Sequence, residues 1–169
     1  MRKTDHSALI GLGSNLNSPI DQIKSAISNL ENLPLTTLLA KSSLYESLPQ
    51  GPQDQENFIN AVVLINYLGT PEQLLEALQE IEQQQGRVKN RHWGERTIDL
   101  DILFFGQKRV TSLNPDLTIP HPHALSRDFV VLPAIEIAPD WILPNNKKLS
   151  DYSDQCLNHQ IKVIASDDY

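Results

Sequence analysis

The run Thr97-Ile98-Asp99-Leu100-Asp101-Ile102-Leu103-Phe104-Phe105, closed by Gly106, is apolar apart from its first residue and two aspartates spaced by two. Its β-branched and aromatic content, its short length and the bounding Gly94 and Gly106 predict a strand over 97–105. Strand side chains alternate between faces, so Asp99 and Asp101 are expected on one side, with Ile98, Leu100, Ile102 and Phe104 on the other, in a core. Two carboxylates so placed would repel each other, or one would take up a proton. A divalent hard cation removes that conflict, and magnesium is commonly held by one or two carboxylates together with substrate phosphates.

The residues just before this strand carry the opposite charge. Arg87, Lys89, Arg91 and Arg96 lie in one loop, four of the fourteen Lys and Arg in the chain. Arginine forks match phosphate oxygens in pairs, whereas lysine acts as a point charge. Together the loop and the strand read as a polyphosphate-plus-metal site. The alternative is two solvated aspartates on an open sheet face beside a solvated basic loop.

With 169 residues, 40% hydrophobic and 21% charged, the sequence predicts one globular domain over 1–169 that needs no disulfide staples. The single Cys156 cannot form an internal bridge. No apolar run reaches the roughly 20 residues of a membrane helix, and residues 1–6 lack a signal-peptide core, so a cytoplasmic location away from membranes is expected. A net charge of −7 argues against general nucleic-acid affinity and, with the basic loop, points to a small anionic partner.

Working outward, Ser7 to Leu12 reads as a short strand closed by Gly11-Leu12-Gly13-Ser14-Asn15. The glycines there lack the remainder of either a dinucleotide fingerprint or a P-loop. Ser18-Pro19 reads as a cap and first turn, and Ile20, Ile23, Ile27 and Leu30 recur at helical spacing. Thr36 to Tyr45 and Phe58 to Tyr67 read as strands, the second placing Phe58, Asn60 and Val62 on one face. Between them a polar loop from Ser47 to Glu56 exceeds what a hairpin needs and is a candidate functional loop. Thr70-Pro71-Glu72-Gln73 is a capping box opening a helix that turns Leu74, Leu75, Leu78 and Ile81 inward and stops at Gly86. Beyond the aspartate strand, a hairpin is expected over Gln107 to Thr111. A short helical or extended piece then runs from Arg127 until broken by Pro133, core cover continues to about Trp141, and a polar tail over 145–169 carries a weak helix around Leu149 to Leu157. The order strand, helix, strand, strand, helix, strand is the ferredoxin-like βαββαβ order of an α+β fold. It predicts an antiparallel sheet with helices on one face and a ligand site under loops on the other.

Several ordered motifs then resemble one family: Gly13-Ser14-Asn15, Gly51-Pro52-Gln53-Asp54-Gln55 with Phe58 and Asn60, Gly86-Arg87-Val88, Trp93-Gly94 with Arg96-Thr97-Ile98-Asp99-Leu100-Asp101, and Pro120-His121 followed by Arg127 and Phe129. Over about residues 7–141 the chain resembles the 6-hydroxymethyl-7,8-dihydropterin pyrophosphokinases of folate biosynthesis. The resemblance implies transfer of the β,γ-pyrophosphoryl group of ATP to the pterin hydroxymethyl oxygen. It implies two magnesium ions on Asp99 and Asp101, with Arg87 and Arg96 joining those aspartates as catalytic residues. ATP contacts are implied for Gln79, Glu82, Arg87, Trp93, Arg96, Ile102, Thr118, His121 and Arg127. Pterin contacts are implied for Ser47, Pro49, Gly51, Phe58, Asn60, Asp99 and Phe129, with the ring stacked between the two phenylalanines. The chain departs from the family before Gly51, where a Thr-Pro-Pro or similar run is usual and Ser47-Leu48-Pro49-Gln50 stands here, and in the basic loop at His92, where arginine is common, and Glu95, where proline is frequent.

Nothing in the sequence demands a partner chain, so a monomer acting on ATP and the pterin is expected. A nucleotidyl- or phosphotransferase on the same aspartates is the second enzyme reading. An RNA-recognition domain shares the element order but needs a basic, aromatic-studded central strand, which neither Phe58 to Tyr67 nor Thr97 to Phe105 provides.

Overall fold

The computed structural model of the protein describes residues 6–49, 51, 54–86, 97–156 and 161–165. Strand β1 (Ser7–Ser14) is an inner strand of the sheet. It pairs antiparallel with β4 (Phe58–Tyr67) on one side and with β5 (Asp99–Phe105) on the other. β4 in turn carries β2 (Thr36–Lys41) and β3 (Leu44–Ser47), and β8 (Ile161–Ala165) adds outside β3, giving the order β5-β1-β4-β3-β8 with β2 also on β4. Helices α1 (Pro19–Glu31) and α2 (Pro71–Gln84) share one face. With β2 and β3 taken as one interrupted strand, this is the ferredoxin-like arrangement expected from the element order.

The helix face is closed by Ala8, Ile10 and Leu12 of β1, Ala61, Val63 and Ile65 of β4, Ile23 and Leu30 of α1, and Leu74 and Leu78 of α2, all essentially buried. Each large aliphatic so placed contributes about 1.5–3 kcal/mol relative to exposure. The capping box is formed: the Gln73 amide donates to Thr70 Oγ1 at 3.1 Å and the Thr70 amide to Gln73 Oε1 at 2.9 Å. Ser18 does not cap α1 as expected. Its backbone is left-handed (φ 64°), away from the extended geometry that turns a cap hydroxyl onto the first-turn amides, and Ile20 remains exposed.

Other expectations fail where tertiary structure overrides local pattern. The strand predicted over Thr36 to Tyr45 breaks at Ser42 and Ser43. Ser42 exchanges hydrogen bonds with Val62, its amide donating to the carbonyl at 2.9 Å and its Oγ accepting from the amide at 2.9 Å, while the Ser43 amide turns away to α3 (Asp128–Ile137). The glycines of Gly11-Leu12-Gly13 lie inside β1, not in a loop after it. Pro133 does not end the segment before it but lies buried within α3, where packing on the sheet outweighs the lost backbone bond. The hairpin after the aspartate strand joins β6 (Val110–Leu113) to β7 (Asp116–Ile119), and Gln107 to Thr111 leads into it. The tail holds a 3-10 helix (Leu149–Cys156) and β8.

The alternation predicted for β5 holds through Ile102 and then slips. A register shift against β1 opposite Leu9 and Ile10 inserts an extra residue at Leu103. Leu103 and Phe104 therefore face the second core, and Phe105 takes the helix-side position expected of Phe104. This second core, on the sheet face opposite α1 and α2, gathers Leu9, Val62, Leu103 and Phe104 under Ala124, Val130 and Ala134, with the Trp141 ring 6.5 Å from that of Phe104. Helix α3 thus covers part of the second face and leaves a cavity beside it.

Candidate functional site

Strand register builds the cavity floor. Asp99 pairs with Gly13, Gly13 with Asn60, and Asn60 with Tyr45, so one row crosses four strands; Asp101, Gly11 and Val62 form the next. Paired residues of an antiparallel sheet share a face. Where the two aspartates emerge, the neighbouring strand therefore presents two glycines, and the space their side chains would take is used by Leu103 above Gly11 and by Asn60 and Phe58 above Gly13. A Cβ at Gly11 would meet Leu103 Cδ2 at 3.3 Å, and one at Gly13 would meet Asn60 Oδ1 at 3.4 Å.

The cavity holds about 140 Å³ of solvent-accessible space, lined by Gly11, Leu12, Gly13, Ser47, Leu48, Phe58, Asn60, Ala61, Val62, Asp99, Asp101, Leu103, His121, Arg127, Phe129 and Val130. Asn60, almost fully buried, donates from Nδ2 to Ser47 Oγ at 2.8 Å, which fixes its amide plane. Phe58 and Phe129 are each half-buried at the wall. Arg127, at the start of α3, sits with its guanidinium carbon 5.6 Å from the Phe129 ring centroid, a cation–π contact that holds both side chains over the cavity. Burial lowers the Arg127 guanidinium from its ordinary value, and the charges of Asp101 and then Asp99 oppose that shift.

His121 is fixed by its backbone, whose amide donates to the Leu103 carbonyl at 3.0 Å, and by its ring, whose Nδ1 accepts from the His123 amide at 3.1 Å. Acceptance at Nδ1 assigns the proton of the neutral ring to Nε2, a donor. Burial first, and then the charges of Arg127 and His123, push its pKa from 6.5 down to about 4. The unfolded chain therefore binds a proton that the fold rejects between those values, so stability falls as pH is lowered through this window and is untouched above it. Urea midpoints from pH 7 to pH 4 should decline more steeply for the wild-type protein than for His121→Gln; parallel curves would show that His121 carries no such linkage.

The sequence-predicted residues divide into groups. Asp99, Asp101, Ser47, Phe58, Asn60, His121, Arg127 and Phe129 meet at this cavity. Pro49 and Gly51 do not line it, and Leu48, exposed between Ser47 and Pro49, does. Gln79 is exposed on α2, and Thr118 is exposed on β7 opposite Thr111. Ile102 points its side chain into the helix-side core, which leaves only its main chain available to a ligand. Glu82 Oε2 accepts from the Leu100 amide at 2.8 Å on the outer side of β5. Arg87, Trp93 and Arg96, with Lys89 and Arg91, lie outside the described residues. Sequence reasoning missed Gly11, Gly13, Leu48, Val62 and Leu103. The detectable signal was a pair of glycines spaced by two in a strand, matching two aspartates with the same spacing.

The donor set suits a hard cation completed by a ligand. Asp99 is half-buried and Asp101 exposed on the same face, and no cluster of three or more His, Cys, Asp or Glu occurs among the described residues. Two carboxylate ligands with the rest from phosphate and water is the usual magnesium pattern, as opposed to an all-protein cage. A larger cleft of about 460 Å³ near the start of α1, lined by Asn15, Ser18, Glu46 and Glu56 among others, contains none of the predicted residues. No described helix is long and apolar enough to cross a membrane.

The family model of 7,8-dihydro-6-hydroxymethylpterin-pyrophosphokinase matches residues 9–139. The chain is 45% identical over 155 residues to the 2-amino-4-hydroxy-6-hydroxymethyldihydropteridine pyrophosphokinase of Haemophilus influenzae, covering 92% of this chain and 96% of the relative. It is also 45% identical to the enzyme of that name from Pseudomonas aeruginosa, covering 87% and 90% of the two chains. Among solved structures, wild-type Plasmodium falciparum HPPK-DHPS with pteroate superposes with a TM-score of 0.71 at 15% identity, over 88% of this chain and 42% of that one, a likeness of fold.

Proposed function

Because the chain belongs to the 7,8-dihydro-6-hydroxymethylpterin-pyrophosphokinase family, we propose that it transfers the β,γ-pyrophosphoryl group of ATP to the hydroxymethyl oxygen of 6-hydroxymethyl-7,8-dihydropterin. The hydroxyl oxygen attacks the β-phosphorus as its proton passes to solvent, the bond between the β-phosphorus and the oxygen bridging it to the α-phosphate breaks, and that oxygen leaves with AMP. The observation that carries this reading is the convergence of two aspartates, a buried asparagine amide and two phenylalanines on one cavity.

The pterin ring lies between Phe58 and Phe129, where stacking requires only flat apolar faces. Asn60, oriented by Ser47, offers an amide to its polar edge. Asp99, in the same row as Asn60, is then close to the hydroxymethyl arm. Arg127 and His121 line the same opening, and the guanidinium and the ring N–H are donors suited to phosphate oxygens. Asp99 and Asp101 would hold magnesium; the chemistry it supplies when bound is charge neutralisation on the transferring group and easier deprotonation of the attacking hydroxyl.

The test is product identity. Incubation with ATP, magnesium and 6-hydroxymethyl-7,8-dihydropterin should release AMP only when pterin and metal are both present. ADP would instead establish a single-phosphoryl kinase on the same site, and absence of nucleotide turnover would refute the activity.

A further inference from the structure

The row of paired residues that forms the cavity floor does not stop at Asn60. Its next member, Tyr45, passes its hydroxyl to α3, donating to Glu136 Oε1 at 2.7 Å. The same carboxylate accepts from the Ser43 amide at 3.0 and 3.1 Å and from Ser43 Oγ at 2.7 Å. One glutamate therefore collects three donors from the point where β2 gives way to β3. Ser43 and Tyr45 are both buried, and the Ser43 amide is available only because Ser42 takes over the pairing with Val62.

Both partners of this clamp lie on elements that also carry residues of the pterin wall. Tyr45 and Ser47 are two apart on β3 and so share a face, and Ser47 is the residue that orients Asn60. Glu136 and Phe129 are seven apart on α3, two helical turns, and so share a face about 10 Å apart along the axis. The clamp and the pterin wall are thus the two ends of one contact between β3 and α3.

We propose that Glu136 is a positioning residue for the pterin: by holding Ser43 and Tyr45 it sets the separation of α3 from the sheet, and hence of Phe129 from Phe58 and Asn60. Burial first, and then the bond to Glu136, raise the Tyr45 hydroxyl above its ordinary value, so it remains a donor across the working pH range. The proposal rests on the pterin reading of the cavity, and its test separates the two.

Dissociation constants for 6-hydroxymethyl-7,8-dihydropterin and, separately, for ATP with magnesium would be measured by calorimetry on the wild-type protein and on Glu136→Ala, Glu136→Gln and Tyr45→Phe, with thermal melts alongside. Glu136→Ala should weaken the pterin by at least about tenfold, with ATP affinity held within about twofold. Glu136→Gln, which keeps one acceptor but sets an NH₂ against the Ser43 donors, should fall between, as should Tyr45→Phe. A lowered melting temperature with unchanged pterin affinity would reduce Glu136 to a structural brace and overturn the proposal. Should the alanine variant fail to fold, the glutamine and phenylalanine variants decide by the same criterion. A wild-type protein that does not bind the pterin would overturn the substrate reading, and this proposal with it.

Discussion

Replacing Asp101 by alanine is expected to lower turnover by at least about a thousandfold, equivalent to about 4 kcal/mol of transition-state stabilisation, with almost no change in stability. The two effects separate because of where Asp101 sits. Its side chain is exposed, opposite Gly11 and next to Arg127, and belongs to neither core, so truncation opens no buried void. The catalytic loss is large because the cavity offers no third carboxylate, and no histidine cluster, to replace it among the described residues. Asp99→Ala should behave similarly and should also weaken the pterin, since Asp99 shares a row with Asn60. AMP release as a function of magnesium concentration, with circular-dichroism melts as control, checks both variants. Magnesium-dependent activity retained near the wild-type rate would remove the aspartates from the metal site.

Gly13→Val is expected to weaken pterin binding by at least about a hundredfold, roughly 2.7 kcal/mol, while leaving ATP affinity within a few-fold. Gly13 lies between Asp99 and Asn60 in the floor, and a Cβ built there already stands 3.4 Å from Asn60 Oδ1 and 3.8 Å from Phe58 Cδ1. Alanine just fits, so Gly13→Ala should have a small effect. Valine adds two methyl groups to the space the ring must occupy. Valine is also a good strand former, so the folded state should tolerate it. Pterin affinity is the direct readout; a valine variant that bound the ring normally would place the pterin elsewhere in the cavity.

The parts of this fold that were legible in the sequence are those where local pattern and tertiary environment agree. The helical spacing of Ile23, Ile27 and Leu30, the capping box at Thr70, and the alternation of β4 each state which side is apolar, and the structure uses that side. Asp99 and Asp101 were readable for the same reason, since charged residues in an apolar strand mark its open face. The bulge at Leu103 was not readable, because Leu103, Phe104 and Phe105 are all apolar and either register buries all three. The continuation of α3 through Pro133 and the addition of β8 depend on a sheet already being present to receive them, which no local signal reports. The glycines of β1 were misread as a loop because their role is to be absent side chains, visible only once β5 is placed beside them. Likewise, nothing in the spacing of Ser43, Tyr45 and Glu136 could have joined residues more than ninety positions apart.

The bond from Glu82 to the Leu100 amide has a consequence for how the molecule behaves among its own copies. Among the described strands, β5 stands at the edge of the sheet. A terminal strand of such apolar sequence presents backbone donors to any other strand that drifts past, the usual first step of intermolecular sheet growth. Glu82 occupies one of those donors, at Leu100 between the two aspartates, and sets a carboxylate where an incoming strand would have to pair.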